Sequence, residues 1–399
     1  MVKPTIVQVL TRLGGGGPPI QSVMLTREMT KMGYHSILVT GRLDKQDGDM
    51  SYLLNKDDSV HWIPEMSRSI SPIQDLRALI ALYRFLKQER PAIVHTHTAK
   101  AGALGRIAAW MAGVPVVVHT FHGNVLSHYF SSPVNWAIRQ IERLLSHLTH
   151  GILVLAPQQA SELVDGHHIA SHEKVHVVPL GMDLTAFSAV GPAPSDRATI
   201  TVGWMGRFVS IKNIPLLLDI ARETLRRTDR VRFVIAGDGP EAPSVKALSD
   251  ELGAGRFAWL GWREDVTTVL NECDLLIQTS RNEGTPVALI QGMAAGRPFI
   301  STPAGGVVNM VTGTLRREQD GCRWFDNGVL ADPDPAAFAS ALCAFAANPA
   351  EIARMGAHAA EFACAHHSLP TMLHSLDALY SALLEQQTPA ANVRGAVKT

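Results

Sequence analysis

The sequence predicts an α/β protein of two doubly wound domains followed by C-terminal helices. Short β-branched runs alternate with longer stretches of helical period, and the alternation restarts after the Pro-, Ser- and Ala-rich segment 188–198. Strand and helix alternating in this way imply parallel sheets built from right-handed crossovers. The length of 399 residues agrees, because about 150 residues per domain leaves room for two or three domains.

The individual elements follow from the hydrophobic period. In the first half we predict strands at 5–10, 36–40, 92–96, 114–120, 151–155 and 174–178, and helices at 21–32, 72–88, 101–112 and 133–149. In the second half we predict strands at 199–205, 231–237, 256–261, 274–280 and 297–301, and helices at 213–227, 240–253 and 287–296. The stretch 334–386 is almost wholly helical in period, with breaks near Pro349 and Pro370.

The resulting domain boundaries are residues 1–190 and 199–368, with a cleft expected between the two domains. A helix at 369–386 is expected to cross back to the first domain, and 387–399 to form a disordered tail. Ligands of doubly wound sheets lie outside the carboxyl ends of the strands, so each strand-to-helix turn is a candidate site.

Composition excludes several classes of protein. The 36 Lys and Arg balance 36 Asp and Glu, so no basic field is available to hold nucleic acid. The longest apolar run, 107–118, is short for a membrane span and is broken by Gly113 and Pro115. No signal peptide is evident at the N-terminus, and the four cysteines fit neither a disulfide framework nor a zinc site. We therefore expect a cytoplasmic protein without a structural metal.

A glycine run, Gly14–Gly17, follows the first predicted strand. Glycines let the backbone approach a ligand, and the helix amides beyond them favour an anion. The run is neither a P-loop nor a dinucleotide fingerprint, because no Lys-Ser/Thr follows and Pro18 and Pro19 occupy the helix start. A flexible loop without a ligand is the alternative.

Histidines cluster at predicted strand ends, in VHTHTAKAG and HTFHG. His95 and His119 are interpreted as hydrogen-bonding core residues, and a metal pair in His-x-His finds no third ligand with zinc-like spacing. His122 precedes Gly123 at a strand end, where it could hydrogen-bond a substrate hydroxyl or a developing charge. Ligand contact and a structural role both remain open for it.

Two cations, Arg207 and Lys212, follow the first strand of the second half in WMGRFVSIKN. A guanidinium fork and an ammonium five residues apart can converge on a diphosphate leaving group. Two solvated surface cations are the alternative.

The segment SRNEGTPVALIQGMAAG, 280–296, is the most informative. Glu283 ends a strand, Gly284 to Pro286 turn the chain, and the following helix presents Gln291. Downstream, Gly305 and Gly306 offer a second helix start that could hold an anion. Asp332-Pro-Asp334 is interpreted as a loop rather than a metal grip, because proline follows both aspartates.

Taken together, these motifs resemble glycosyltransferase family 4, the retaining GT-B enzymes that use nucleotide sugars. The resemblance runs from about residue 5 to 385 and rests on eight motifs in order. They are TRL-x-x-GG, HTHTAKAG…GR, HTFHG, VVPLGMD, GR-x4-K-N, AGDGPE, LGWREDV and SRNEGTPVALI-x-GMAAGRP. The subset with HTHTAKAG and HTFHG resembles bacterial enzymes that build exopolysaccharide, capsule or O-antigen.

The resemblance implies a role for each matching residue. His122 would contact the donor sugar, Arg207 and Lys212 would stabilise the departing diphosphate, and Glu283 would bind the hexose hydroxyls. The donor and nucleotide would also be bound at further positions, namely Gly16, Gly17, Gly206, Gly237, Gly239, Gly284, Thr285, Pro286 and Val287. His97 and Lys100 would lie on the acceptor side.

Gln291 departs from the family pattern, in which a glutamate at this position grips the nucleotide ribose. An amide still offers one acceptor and two donors, but without charge assistance. We expect nucleotide binding weaker by about 1–2 kcal/mol, with the chemistry retained.

The predicted function is transfer of a sugar from a nucleotide diphosphate, with UDP favoured, to a saccharide or lipid-linked saccharide. The anomeric configuration would be retained, and neither metal nor cofactor would be required. The alternatives are a non-catalytic nucleotide-sugar sensor, which Gln291 makes plausible, and a nucleotide-sugar 2-epimerase. A Rossmann oxidoreductase is disfavoured, because no G-x-G-x-x-G turn follows a strand.

The segment 72–90 carries Arg77, Arg84, Lys87 and Arg90 beside an apolar stripe. Two interpretations stay open: an ordinary surface helix packed on the sheet, and a face that meets the inner surface of a membrane.

Overall fold

The computed structural model describes residues 3–14, 17–43, 49–123, 132–191 and 198–387. The chain divides into two units. The first unit runs to Val178 and resumes at Leu373, and the second unit is Pro179–Met372.

The first unit contains seven parallel strands in the order β3-β2-β1-β4-β5-β6-β7. They are β1 (Thr5–Arg12), β2 (His35–Gly41), β3 (Val60–Ile63), β4 (Ile93–His97), β5 (Val116–Phe121), β6 (Gly151–Val154) and β7 (Val175–Val177). Its helices are α1 (Gly17–Lys31), α2 (Pro72–Glu89), α3 (Ala99–Ala112), α4 (Ser132–Ser146) and the short α5 (Pro157–Ser161). The central strands are buried on both faces, which explains their unbroken apolar runs.

The second unit begins with the short α6 (Thr185–Ser188) and contains eight strands in the order β10-β9-β8-β11-β12-β15-β14-β13. The strands are β8 (Ile200–Met205), β9 (Val231–Ala236), β10 (Phe257–Trp259), β11 (Leu275–Gln278), β12 (Phe299–Ser301), β13 (Arg317–Gln319), β14 (Cys322–Trp324) and β15 (Gly328–Ala331). The helices are α7 (Ile214–Arg227), α8 (Ala242–Leu252), α9 (Val266–Glu272), α10 (Val287–Ala294), α11 (Pro335–Ala347) and α12 (Ala350–His367). A last helix, α13 (Leu369–Gln387), starts in the second unit and continues into the first.

The second sheet differs from the expected parallel sheet at one edge, where β13, β14 and β15 pair antiparallel. Asp320 and Gly321 connect β13 to β14 with φ values of 52° and 73°. Positive φ at both central residues is the signature of a type I′ hairpin, for which Asp-Gly is a preferred pair. The strands predicted from the sequence include neither this hairpin nor β3.

Helix starts and stops follow local chemistry. Pro18 and Pro19 lie in the first turn of α1, where a missing N–H costs nothing, so the helix begins before the expected residue 21. Asp334 caps α11 by accepting a hydrogen bond from the amide of Ala337. The Asp-Pro-Asp segment therefore contributes a helix cap.

Each unit has its own hydrophobic core. The largest cluster lies in the second unit and includes the fully buried Trp204 and Phe208. In the first unit α3 lies close to its sheet, because a Cβ on Gly105 would come within 2.5 Å of the Thr96 side chain. Glycine is therefore required where this helix crosses the strand ends.

Two predictions from the sequence concern a membrane-spanning helix and disulfide bonds. Within the described residues no single helix is both long and apolar enough to cross a membrane. α11 and α12 meet that criterion only jointly, bent by 107°. All four cysteines are free thiols.

Candidate active site

Glu283 is the centre of a polar cluster in the second unit. Its Oε1 accepts hydrogen bonds from Lys212 Nζ at 2.5 Å, from Gln278 Nε2 at 2.7 Å and from the Ser280 hydroxyl. The side chains of Lys212 and Glu283 are 20% and 12% exposed. One oxygen therefore takes three donors, which fixes the carboxylate in position and leaves Oε2 for another partner.

The loop that carries Glu283 is held from behind by a glycine turn. The Gly306 amide donates to the Glu283 carbonyl at 3.0 Å. A Cβ on Gly305, whose φ is +54°, would lie 2.1 Å from the same carbonyl oxygen. The pair Gly305–Gly306 therefore buttresses the Glu283 loop, a role that the sequence analysis did not assign to it.

Lys212 ends a single helical turn, Ser210–Lys212, just before α7. Its carbonyl accepts from the Thr279 hydroxyl at 2.8 Å, and the Arg281 amide donates to the Ile211 carbonyl at 2.8 Å. The turn after β8 is thus tied to the end of β11, and this brings the Lys212 ammonium to Glu283.

Arg207 precedes that turn and differs from Lys212 in its surroundings. Its side chain is exposed and forms no hydrogen bond or ion pair with the described residues. Its guanidinium is therefore free to meet an anion. The structure brings Lys212 and Glu283 into contact but does not join Arg207 to them.

Three of the glycines expected at the donor site, Gly206, Gly237 and Gly239, follow the ends of β8 and β9. A Cβ on Gly237 would lie 2.0 Å from the Gly206 carbonyl oxygen, and one on Gly239 would lie 2.6 Å from the Phe208 carbonyl oxygen. The two loops touch backbone to backbone, so a side chain on either of these two residues would separate them.

The start of α10 follows directly from Glu283. Pro286 is the N-cap and Val287 the first helical residue, so the first amides of this helix lack partners within it. Such amides carry partial positive charge and suit an anionic or hydroxyl-rich ligand. Among the described residues the buried Thr285 hydroxyl has no hydrogen-bond partner, and Gln291, one helical turn after Val287, is partly exposed.

The histidines of the first unit form a second polar cluster at the ends of β4 and β5. His97 Nδ1 lies 3.0 Å from His122 Nε2, and His97 Nε2 lies 2.8 Å from Gln8 Oε1. His95 contacts Tyr380 and Thr120, each at 2.6 Å. His119 contacts the Thr96 hydroxyl at 2.8 Å.

Burial keeps these imidazoles uncharged. It lowers the pKa of His95 to about 3 and that of His122 to about 4, with His122 adding to the effect on His95. Burial also lowers the pKa of His97 and His119 well below the usual value, and Arg106 adds to the effect on His119. The cluster can exchange hydrogen bonds with a ligand but carries no charge near pH 7.

The remaining predicted residues lie in the first unit. Gly17 is the first residue of α1, with open space where a Cβ would be, and Gly16 lies outside the described residues. Lys100, in the first turn of α3, pairs with Asp75 of α2 at 2.5 Å. Lys100 therefore joins two helices.

Sequence reasoning missed the residues that hold both clusters. Gln278 and Ser280 precede Glu283 within five residues, but nothing in the strand pattern marks them as its donors. Gln8 was detectable, because it is a lone polar residue in the apolar run of β1. Tyr380, on α13, carries no sequence signal, since its partner His95 is far away along the chain.

The Glu283 cluster of the second unit can recognise a ligand that has both negative charge and hydroxyl groups. Lys212, Arg207 and the α10 amides supply positive potential, and Glu283 supplies an acceptor for hydroxyl hydrogens. The histidines supply neutral donors and acceptors. The described residues contain no group of three or more His, Cys, Asp or Glu arranged to hold a metal ion.

Solved structures share this architecture. HepE from Anabaena, crystallised with UDP and glucose, superposes with a TM-score of 0.75 at 19% identity and covers 95% of this chain and 100% of its own. Sucrose-phosphate synthase from Thermosynechococcus elongatus gives 0.76 at 19% identity, covering 96% and 100%. The two sheets with their helices define the class of GT-B glycosyltransferases.

Sequence comparison narrows the class to a family. The model "Glycosyl transferase 4-like domain" matches residues 16–181, and "Glycosyl transferases group 1" matches 199–348. UDP-Gal:alpha-D-GlcNAc-diphosphoundecaprenol alpha-1,3-galactosyltransferase of Escherichia coli is 30% identical over 66% of this chain and 70% of its own length. The putative glycosyltransferase EpsF of Bacillus subtilis is 28% identical over 74% and 78%. The chain belongs to glycosyltransferase family 4, and the protein is a glycosyltransferase.

Proposed function

We propose that the enzyme transfers a hexose from a UDP-sugar to a lipid-linked saccharide during synthesis of a surface polysaccharide, with retention of the anomeric configuration. The observation that carries the proposal is the contact between Lys212 and Glu283 in the second unit, with the exposed Arg207 earlier in the turn that follows β8. The named substrates of the Escherichia coli relative support the donor and the acceptor class, and the UDP and glucose of HepE support the donor.

The chemistry follows from the charges of this cluster. The bond between the anomeric carbon and the diphosphate oxygen breaks, and its electron pair stays on the diphosphate. Lys212 and Arg207 stabilise this growing negative charge. The acceptor hydroxyl attacks the same face of the sugar, and its proton passes to the departing phosphate oxygen. Retention then needs no carboxylate nucleophile.

Glu283 has a binding role in this scheme. Three donors already hold Oε1, so Oε2 can accept hydrogens from the hexose hydroxyls. An ionised acceptor forms hydrogen bonds about twice as strong as a neutral one. Gln291 would contact the ribose through its neutral amide. Because Lys212 and Arg207 meet the diphosphate, we propose that turnover needs no divalent metal and persists in excess chelator.

The decisive experiment is turnover with a panel of nucleotide sugars. The purified protein is incubated with UDP-, GDP- and TDP-hexoses and with undecaprenyl-diphosphate-linked N-acetylglucosamine, and products are followed by mass spectrometry. We expect a hexose mass added to the lipid with release of UDP, and an NMR coupling that reports the same anomeric configuration as the donor.

The other candidate functions give different results. Donor binding without turnover by any acceptor would indicate a sensor, and an epimerised donor would indicate a 2-epimerase. An inverted product would contradict the retaining mechanism.

We also propose that the outward face of α2 meets an anionic membrane surface. The structure resolves the stripe into two faces: Ala78, Leu82 and Leu86 are buried, whereas Ile73, Leu76 and Ile80 are 68%, 57% and 41% exposed. At helical spacing the cations Arg77, Arg84 and Lys87 share the exposed face. Apolar side chains flanked by cations suit a surface of anionic lipid.

Vesicle sedimentation tests this face. At low salt the protein should pellet with phosphatidylglycerol vesicles but not with phosphatidylcholine vesicles, and Arg77→Glu/Arg84→Glu should abolish pelleting. Arg222→Glu/Lys246→Glu, which alters two exposed cations of the second unit, is the matched control and should still pellet. Failure of the wild type to pellet at low salt would leave α2 as an ordinary surface helix.

A further inference from the structure

Gln8 occupies an unusual place for an amide. It lies in the middle of β1 among apolar residues, its side chain is fully buried, and its Oε1 lies 2.8 Å from His97 Nε2. A carbonyl oxygen can only accept a hydrogen bond. His97 Nε2 must therefore carry the proton in this contact.

The proton on His97 Nε2 determines the tautomer of the neighbouring His122 ring. A neutral imidazole has one N–H, so protonation of His97 Nε2 leaves Nδ1 with a lone pair. His97 Nδ1 lies 3.0 Å from His122 Nε2, and this short contact needs one proton. Because His97 cannot supply it, His122 Nε2 must donate, and His122 Nδ1 is left unprotonated.

The far side of the amide lies near the Tyr380 hydroxyl. The Gln8 Nε2 is buried and makes no hydrogen bond of ordinary geometry with the described residues. Burial raises the pKa of Tyr380, and the Gln8 side chain acts in the opposite direction, as an N–H group near a phenol oxygen does. The Tyr380 hydroxyl itself contacts His95 at 2.6 Å. This arrangement directs the amide oxygen toward His97.

The outward end of the chain of contacts is His122. His122 is partly exposed, and the ring contact described for it is made by Nε2 and not by Nδ1. A bare Nδ1 can accept a hydrogen from a hydroxyl group, whereas a protonated Nδ1 would have to donate.

We propose that Gln8 and His97 are positioning residues that hold His122 as its Nε2–H tautomer, so that Nδ1 accepts a hydrogen bond from a sugar hydroxyl of the substrate. The inference rests on the proposed function for the identity of the ligand. The tautomer itself is a property of the free protein and can be observed without turnover.

Two substitutions at Gln8 change the chain of contacts in different ways. Gln8→Leu removes the acceptor and frees both rings, so His122 should populate both tautomers. Gln8→Glu introduces a buried carboxylate that draws a second proton onto His97. His97 Nδ1–H then donates to His122 Nε2, and the proton of His122 is forced onto Nδ1.

Long-range ¹H–¹⁵N NMR of histidine-labelled protein measures the tautomer directly, with His122 assigned from the signal lost in His122→Gln. We expect a protonated Nε2 and a bare Nδ1 in the wild type, a mixture in Gln8→Leu and the reverse pattern in Gln8→Glu. Gln159→Leu is the matched control, since Gln159 is a buried glutamine of the same unit that accepts from the Leu155 amide. It should leave His122 unchanged.

Kinetics provides the second measurement. Gln8→Leu should lower kcat/KM about three- to tenfold, the loss expected for one neutral hydrogen bond. A protonated Nδ1 in the wild type, or an unchanged His122 tautomer in Gln8→Leu, would overturn the inference even if turnover is normal. The expected tautomers without sugar transfer would count against the proposed function and leave the positioning of His122 intact.

Discussion

The polar clusters of the two units differ in charge and in burial. The cluster around Glu283 is ionic and partly exposed, and its carboxylate is matched by Lys212. The cluster around His97 is buried and neutral, and burial keeps its rings unprotonated. The difference shows that similar strand-end positions carry charge only where a counter-charge and solvent are close.

The difference in charge between the two clusters has a consequence for function. An ionic cluster can respond to charge that develops during reaction, while a neutral network can only orient hydrogen bonds. We therefore expect substitution of Lys212 or Arg207 to act on kcat, and perturbation of the first unit to act mainly on stability and orientation.

Low pH should produce the largest difference in stability between the two units. The pKa values of the clustered histidines are lower in the folded protein than the ordinary histidine value of about 6.5. Below pH 6.5 the unfolded chain therefore binds more protons than the folded chain. Stability of the first unit is therefore full above pH 6.5 and falls as the pH drops toward 4, by up to about 1.4 kcal/mol per pH unit and histidine. In the second unit His367 is the one described histidine with a lowered pKa, so its loss should be smaller.

Hydrogen–deuterium exchange at pH 7 and pH 5, corrected for intrinsic rates, measures this difference. We expect β4 and β5 to lose protection at pH 5 while β8 and β11 keep theirs. Equal loss in both sheets would contradict the electrostatic contrast.

The ion pair that packs beside the histidines should be the most sensitive to single substitution. Arg106 and Glu142 are joined at 2.7 Å with side chains 0% and 6% exposed. Arg106→Met should lower the free energy of unfolding by about 3–5 kcal/mol, because Glu142 is left buried and unpaired. The double variant Arg106→Met/Glu142→Leu should recover most of that loss in urea unfolding. A double variant as unstable as the single one would show that packing, and not charge, is responsible.

Removal of the ammonium in the second unit should act on rate. Lys212→Ala and Arg207→Ala should each lower kcat by about 10²-fold or more, because they stabilise charge that grows in the transition state. Urea unfolding should change little in Lys212→Ala, since Gln278 and Ser280 still donate to Glu283. Lys246→Ala, an exposed lysine of the same unit, is the control. Near-normal kcat in both variants would remove these cations from the reaction.

The smallest effect is expected at Gln291. Gln291→Glu should lower the donor KM several-fold with kcat little changed, because a ribose contact is alike in the ground and transition states. Steady-state kinetics with UDP as competitor checks this. An unchanged KM together with unchanged UDP inhibition would place Gln291 outside the nucleotide site.

The sequence by itself determined that strands alternate with helices in two successive domains. It also identified Lys212, Glu283 and the histidines as candidate site residues. These features depend on local period and on turn chemistry, which read directly from neighbouring residues. It failed at β3 and at β13 to β15. In β13, Arg317–Gln319, every residue is polar and exposed, so no apolar residue marks the strand.

Only the tertiary structure decided which groups hold the functional side chains. Gln8 and His97 are far apart along the chain and meet because β1 pairs with β4. Tyr380 reaches His95 because α13 packs with the first unit, and Gly305 reaches the Glu283 carbonyl because β11 pairs with β12. The physical reason is that strand pairing and helix packing bring together buried polar groups that are far apart along the chain. Local patterns record only that such a group exists.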